Sequence, residues 1–259
     1  MEQELHSVFL QFFEELPLSY EIKNTGRGED DFREAIIAYW ASGERFVLKL
    51  ADNSFTTPHR IRTWVRTIET YQSLGYYCPK ILPSKTGDFP TVAYKGHTCV
   101  AYAEEFCKYT FAEDRCDSEL SEPRPFDPKW AEDAWMMTAK VAAQRLDFCT
   151  FPSGYCLFEP FSPEEETDEV MENALEWKKY AESLPEIFRP QIRRIWDRWV
   201  ENRKTLEDIY CKLPTSVFQA DLNPSNLLID EKGDFVGVSD FKLRGVEPDS
   251  LSANLLRSF

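Results

Sequence analysis

The chain has 259 residues, 42% of them hydrophobic and 14% aromatic, so it can bury one large core or two smaller ones and is unlike a disordered protein. A net charge of −15 argues against nucleic-acid binding and is compatible with a cationic small ligand. The absence of a ~20-residue apolar run, an acidic start and seven cysteines without Cys-x-x-Cys spacing lead us to expect a cytoplasmic, non-membrane protein with reduced thiols.

The first feature in chain order is a stretch with two glycines, Lys23–Asp31. Glycine and small polar residues permit tight turns that present backbone N–H groups to phosphates. It is not a Walker A loop, because no Gly-Lys-Ser/Thr follows. Its acidic end is unusual for phosphate binding, so a plain hairpin loop is the alternative.

An antiparallel sheet of five strands with one helix is predicted next. Two strands, 33–40 and 45–50, are joined through a short turn, and Val47 and Lys49 share one face of the second. A lysine in such a strand ordinarily extends its ammonium group to solvent. The helix should begin at Pro58 and end before Gly75. The other three strands are expected at residues 79–82, 92–94 and 98–106.

From about residue 108 the pattern changes to helices. Residues 110–127 are charged and interrupted by proline, which indicates a loop. A first helix is predicted from the spacing of Trp130, Ala134, Met137 and Val141, and two more at 164–184 and 190–210, the last with one apolar face. The acidic run at 164–169 is either a solvated helix start or part of a site for a cationic ligand.

The chemistry is concentrated in Asp221, Asn226 and Asp240. A strand at 216–218 enters this segment, and strands at 226–230 and 235–239 form a hairpin around the turn 231–234. The hairpin places Asn226 and Asp240 near its open end, where both can reach one ion. Phosphoryl transfer needs oxygen ligands for Mg²⁺ and a carboxylate beside the attacking hydroxyl. A structural turn rich in Asn, Pro and Ser is the alternative.

This segment resembles the catalytic loop and metal-binding strand of the aminoglycoside phosphotransferase/choline kinase family, a branch of the protein-kinase-like fold. That family carries His-Gly-Asp, four residues and Asn, then a strand ending in Asp-Phe. Here the sequence is Gln219-Ala220-Asp221, four residues and Asn226, then Asp240-Phe241. The resemblance implies that Asp221 is the catalytic carboxylate and that Asn226 and Asp240 bind Mg²⁺. Gln219 departs from the pattern and would have to support the loop in place of histidine.

The same resemblance implies an ATP site. Lys49 would hold the α- and β-phosphates, beneath the loop at 23–31. Glu69, the acidic residue of the predicted helix, would pair with Lys49, with a plain surface position as the alternative. Adenine would bind the backbone of Glu105, Phe106 and Cys107, which resembles the family's interlobe hinge.

The resemblance therefore implies an α+β, protein-kinase-like fold of two lobes. Residues 1–106 would form a small antiparallel β-sheet lobe with one helix, and residues 107–259 a mainly helical lobe carrying the catalytic hairpin. Relatives continue further after Asp-Phe, so we expect a short variant, a fragment or a chain completed by a partner.

The expected activity is transfer of the γ-phosphoryl group of ATP, with Mg²⁺, to a small hydroxylated acceptor of the aminoglycoside, amino-alcohol or sugar type. A catalytically weak or inactive nucleotide-binding module is the alternative. Gln219, the acidic loop and the short C-terminus favour that alternative.

Overall fold

The computed structural model describes residues 2–28, 31–114, 130–152, 156–160, 166–241 and 245–248. The chain forms two compact units, Met1–Ala134 with Leu222–Lys242 and Trp135–Asp221 with Leu243–Phe259. The hairpin segment thus groups with the first unit. The division into lobes at residue 106 stays a prediction.

The first unit is built on one antiparallel sheet of six strands in the order β1-β2-β3-β6-β4, with β5 paired to β6. Its elements up to the hairpin are α1 Glu2–Phe12, β1 Ser19–Asn24, β2 Phe32–Tyr39, β3 Arg45–Asp52, α2 Pro58–Ser73, β4 Ile81–Leu82, β5 Thr91–Tyr94, β6 His97–Glu105 and β7 Thr110–Phe111. The five predicted strands are confirmed with shifted ends.

The elements α1 and β1 were not predicted, so the expected sheet of five strands with one helix is wrong on both counts. The helix buries Leu5, Val8, Phe9 and Phe12 in one cluster with sheet residues such as Leu48. Their spacing of three, one and three residues is the helical pattern that could have revealed it. This cluster forms the core on one face of the sheet.

Helix α2 begins and ends as predicted. The Thr57 side chain accepts a hydrogen bond from the Arg60 N–H, and Pro58 occupies the first turn. Gly75 follows the helix with φ +91°, a left-handed conformation that favours glycine. Trp64 packs edge-on against Tyr102 of β6, with ring centroids 5.7 Å apart. Helix α2 therefore contacts the face of β6 that bears Tyr102.

The predicted hairpin is confirmed as β9 Leu227–Ile229 and β10 Phe235–Val238, paired antiparallel. Its first strand, β9, also pairs with β7 and is the central strand of a three-stranded sheet. On the other side, the Tyr77 N–H donates to the Val236 carbonyl at 2.8 Å, and the Val238 N–H donates to the Tyr77 carbonyl at 3.0 Å. Both strands of the hairpin are thus bonded to earlier segments of the first unit.

The remaining elements are the helices α3 Trp130–Ala142, α4 Glu169–Glu182 and α5 Arg189–Tyr210, a 3₁₀ turn Glu186–Phe188, and β8 Thr215–Phe218 paired with β11 Gly245–Pro248. All four residues that predicted α3 are buried. Helix α4 begins five residues later than predicted, because the Asp168 side chain accepts from the Met171 N–H at 2.6 Å and caps it. Arg203 on α5 pairs with Asp168 at 2.6 Å.

Two further predictions had a different outcome. The predicted apolar face of α5 is only partly covered, since the side chains of Ile195 and Ile209 are about half exposed. Of the predicted loop 110–127, residues 110–111 form β7 instead and residues 115–127 lie outside the described residues, as do residues 164 and 165 of the acidic run. Within the described ranges, no helix is long and apolar enough to cross a membrane.

Candidate functional site

Lys49 lies on a sheet face where its charge is held by a neighbouring strand. The β3–β6 register sets Val47 opposite Glu104 and Lys49 opposite Tyr102. Because side chains alternate along a strand, these four share one face. Lys49 Nζ lies 2.7 Å from Glu104 Oε2, and the two side chains are 25% and 18% exposed. The alternative in which Lys49 extends into solvent is therefore wrong.

The charge of Lys49 is stabilised by more than one group. Burial alone would lower the pKa of Lys49, but the negative charges of Glu104 and Asp240 and the hydrogen bond to Glu104 raise it above its ordinary value. Asp240 comes from the end of the hairpin, far from Lys49 in sequence. The first unit thus brings the predicted phosphate-binding lysine within electrostatic reach of a predicted metal ligand.

The predicted pairing of Lys49 with Glu69 is wrong. The partner of Lys49 is Glu104, which lies diagonally across from it on β6. Glu69 lies on the exposed side of α2, next to the buried Ile68. The surface alternative for Glu69 is therefore the one observed.

The open end of the hairpin places Asn226 beside the residues that lead into Asp240. Leu227 and Val238 are paired, and the Ser239 N–H donates to the Asn226 carbonyl at 2.9 Å. Asp240 has a φ of +53°, in the left-handed region that aspartate adopts more readily than most non-glycine residues. Phe241 is buried edge-on against Tyr71, with ring centroids 5.3 Å apart. The pairing of Leu227 with Val238 and the Ser239 hydrogen bond thus bring the two predicted metal ligands to the same end of the hairpin.

The donors at this hairpin end fit magnesium shared with a phosphate. Mg²⁺ keeps several waters and takes one or two carboxylates plus phosphate oxygens, so it does not need an all-protein cage. Asp240 offers a carboxylate and Asn226 an amide oxygen. Over the ranges that the structure describes, no group of three acidic, histidine or cysteine side chains is placed to hold a metal.

The predicted hinge follows the end of β6. The Glu105 N–H donates to the Lys80 carbonyl at 2.9 Å, and the Phe106 N–H to the Arg45 carbonyl at 3.4 Å. The Arg45 guanidinium also lies 4.1 Å from the Phe106 ring centroid. Of the three predicted hinge residues, Cys107 is the one whose N–H takes part in neither of these two hydrogen bonds.

The predicted catalytic loop follows β8, and its first residues, up to Asp221, belong to the second unit. Gln219 is buried, and its Nε2 donates to the Asp221 carbonyl at 3.0 Å. Asp221 itself is partly exposed. The glutamine thus supports the loop by hydrogen bonding, as expected of a residue in the histidine position. The catalytic role of Asp221 stays a prediction.

The glycine stretch joins β1 to β2 and has hydrogen bonds of its own. The Gly26 N–H donates to Asn24 Oδ1 at 2.9 Å, and the Arg27 N–H donates to Asp31 Oδ2 at 3.0 Å. Glu104, the partner of Lys49, was missed in the sequence. Its position follows from strand register, which a single sequence reveals only after the strands are paired.

Comparison with protein families matches residues 31–248 to the phosphotransferase enzyme family. No curated protein matches the chain. Two of the similar solved structures illustrate the likeness along most of this chain. The GDP complex of wild-type aminoglycoside 2′-phosphotransferase-IIIa has 12% identity and a TM-score of 0.50, over 98% of this chain and 78% of that one. The aminoglycoside phosphotransferase of Alicyclobacillus acidocaldarius has 14% identity and a TM-score of 0.47, over 97% and 70%.

At such low identity the solved structures bear on the fold alone, whereas the family match covers most of the chain. The helix α1 and strand β1 lie outside the matched residues. The chain belongs to the phosphotransferase enzyme family and has an α+β, protein-kinase-like fold.

Proposed function

We propose that the chain transfers the γ-phosphoryl group of Mg²⁺–ATP to a hydroxyl of a small molecule of the aminoglycoside, amino-alcohol or sugar type. One observation carries the proposal: Lys49, largely buried and paired with Glu104, lies within electrostatic reach of Asp240. A fixed cation beside a candidate metal ligand is what a metal-bound polyphosphate requires. The family match supports phosphoryl transfer, and the GDP complex of the similar aminoglycoside phosphotransferase supports nucleotide use.

On the nucleotide side, Lys49 would hold the α- and β-phosphates, with Glu104 keeping its ammonium in place. The base would lie against Glu105, Phe106 and Cys107. The N–H groups of the first two already donate to protein carbonyls, so the Cys107 N–H is the donor proposed for adenine.

On the reaction side, Asn226 and Asp240 would hold Mg²⁺, which supplies positive charge to the phosphate oxygens as charge moves during transfer. Asp221 would orient the acceptor hydroxyl and accept its proton. The hydroxyl oxygen then bonds to the γ-phosphorus, the bond to the β–γ bridging oxygen breaks, and ADP leaves with that electron pair. The net charge of −15 favours a cationic acceptor.

The first experiment is calorimetric titration of ATP into the protein with and without Mg²⁺. Wild type should bind ATP in a Mg²⁺-dependent manner, and Asp240→Asn should lose that dependence. Asp221→Asn should retain ATP binding but reduce turnover at least about 10²-fold on any acceptor found in a panel of aminoglycosides, amino alcohols and sugars. Absence of ATP binding by folded wild type would refute the proposal. Binding without turnover across the panel would favour the non-catalytic module.

A matched pair of variants tests the assignment of Glu104. Glu104→Gln removes the charge that holds Lys49, so ATP affinity should fall by about tenfold, the usual effect of one charged hydrogen bond. Glu69→Gln makes the same chemical change on the exposed side of α2. Equal losses in the two variants would show that the partner has been misassigned.

A further inference from the structure

Arg33 lies on the same sheet face as Lys49. The β2–β3 register sets Ala35 opposite Lys49 and Arg33 opposite Ala51, so Arg33 and Lys49 are diagonal neighbours about 7–8 Å apart. Burial raises the pKa of Tyr102 on this face, while the charges of Lys49 and Arg33 both oppose that rise. Two cations therefore act on the same part of the sheet.

The guanidinium of Arg33 is buried, and not all of its N–H donors are used in hydrogen bonds among the described residues. The residue is 8% exposed, and its Nη2 donates to Asp31 Oδ2 at 2.5 Å. It also lies 5.5 Å from the Phe55 ring centroid. Within the described part of the chain, its buried Nε has no hydrogen-bond partner. A guanidinium has five N–H donors in a planar fork, so this one has capacity for a further anionic ligand.

Asp31 occupies a set of donors that suits a phosphate. Its carboxylate accepts from Arg33 Nη2, from the Arg27 backbone N–H at 3.0 Å and from Asn53 Nδ2 at 3.0 Å. Burial opposes ionisation of Asp31, but these hydrogen bonds and the Arg33 charge lower its pKa below the ordinary value. A guanidinium, an amide and a loop N–H together form a site for anionic oxygens, and here an internal carboxylate fills it.

We propose that Arg33 is a second phosphate-binding residue of the nucleotide site, and that Asp31 is an internal competitor that nucleoside triphosphate displaces. The inference rests on the proposed ATP site at Lys49. A triphosphate has more negative charge and more acceptor oxygens than one carboxylate, so it can also accept hydrogen bonds from Arg33 N–H groups that do not bond Asp31, such as Nε. Release of Asp31 would also free the Arg27 N–H in the glycine loop for the phosphates.

The two residues should have opposite effects on affinity. Arg33→Gln removes a phosphate contact, so ATP binding should weaken by about 10- to 100-fold, the range for a hydrogen bond to a charged group. Asp31→Asn removes the competing charge, so ATP binding should strengthen several-fold. The Arg33→Gln loss should be larger for ATP than for AMP, because the contact is with the phosphate chain. Arg33→Lys should restore part of the affinity, since it keeps the charge without the fork.

The test is calorimetric titration of ATP and AMP, each with Mg²⁺, into wild type and these variants, with urea unfolding to confirm that each is folded. If Asp31→Asn weakens ATP binding, or if Arg33→Gln affects ATP and AMP equally, the pair is a structural ion pair and the inference is wrong. Lys49→Met separates this failure from that of the proposed function. Loss of ATP binding in Lys49→Met with full binding in Arg33→Gln refutes the inference alone, whereas wild type that binds no ATP refutes both.

Discussion

Gly237 should be intolerant of any side chain, because the hairpin that carries Asp240 packs there directly on the backbone of Tyr77. A Cβ at position 237 would lie 1.8 Å from the Tyr77 carbonyl oxygen and 2.6 Å from its carbonyl carbon. Backbone atoms cannot rotate away, so the hairpin and Tyr77 must separate. That separation disrupts the two hydrogen bonds between Tyr77 and β10, at about 1 kcal/mol each. Repacking adds about 1–3 kcal/mol, so Gly237→Ala should reduce the free energy of unfolding by about 3–5 kcal/mol.

The assay is urea unfolding followed by tryptophan fluorescence, with Gly87→Ala as the matched control. Gly87 has a φ of +82°, and no described atom lies within 4 Å of a Cβ built there. Its substitution should therefore cost only the left-handed strain, about 1–2 kcal/mol. A Gly237→Ala loss no greater than that of Gly87→Ala would refute the packing argument. Mg²⁺-dependent ATP binding should fall with it, since the displaced strand leads to Asp240.

Three further predictions concern stability, each measured by urea unfolding. Ser216→Ala should lower the free energy of unfolding by about 1–3 kcal/mol, because its fully buried hydroxyl donates to a carbonyl of α3 and accepts from the Leu146 N–H. A loss below about 0.5 kcal/mol would contradict this. Arg203→Met should lower the free energy of unfolding by about 3 kcal/mol, because it leaves Asp168 charged and largely buried without its partner. An unchanged transition midpoint would show that the ion pair does not stabilise the fold. The pKa of Asp31 is lowered from 3.8 in the folded protein. The stability that the ionised Asp31 provides is therefore complete above pH 3.8 and is lost as the pH falls through the folded-state pKa. The stability difference between wild type and Asp31→Asn should therefore vanish in acid, and a difference that grows there would show the opposite shift.

The elements that the sequence predicted well are those with local physical causes. Helix α2 has a threonine cap, a proline in its first turn and a glycine after its end, all within one segment. The hairpin has two short apolar strands around a short polar turn. The spacing of Asp221, Asn226 and Asp240 was recognised because it lies within one short segment, and the roles of these residues stay predictions. Such features need no knowledge of the rest of the fold.

The features that were missed depend on contacts between distant segments. The register of β3 against β6 places Glu104 next to Lys49, whereas we had predicted a partner on helix α2. Arg33 joins the same face through the register of β2. The apolar period of α5 was recognised, but how much of that face is covered depends on its neighbours, and Ile195 is left exposed. Periodicity identifies a face, and only packing shows what covers it.

The bonding of the hairpin to Tyr77 and β7 has a consequence for synthesis of the chain. The first unit is assembled from two separate stretches of sequence, so Phe111 leaves the ribosome well before its partner strand β9 and the adjoining β10. At about 5–20 residues per second, the interval from Phe111 to Val238 is about 6–25 s. During that time the edge of β7 and the Tyr77 backbone have no strand to pair with, which is a recognised route to aggregation. A chain truncated after Ala134 would keep those edges open permanently, so the first unit should be expressed only together with Leu222–Lys242.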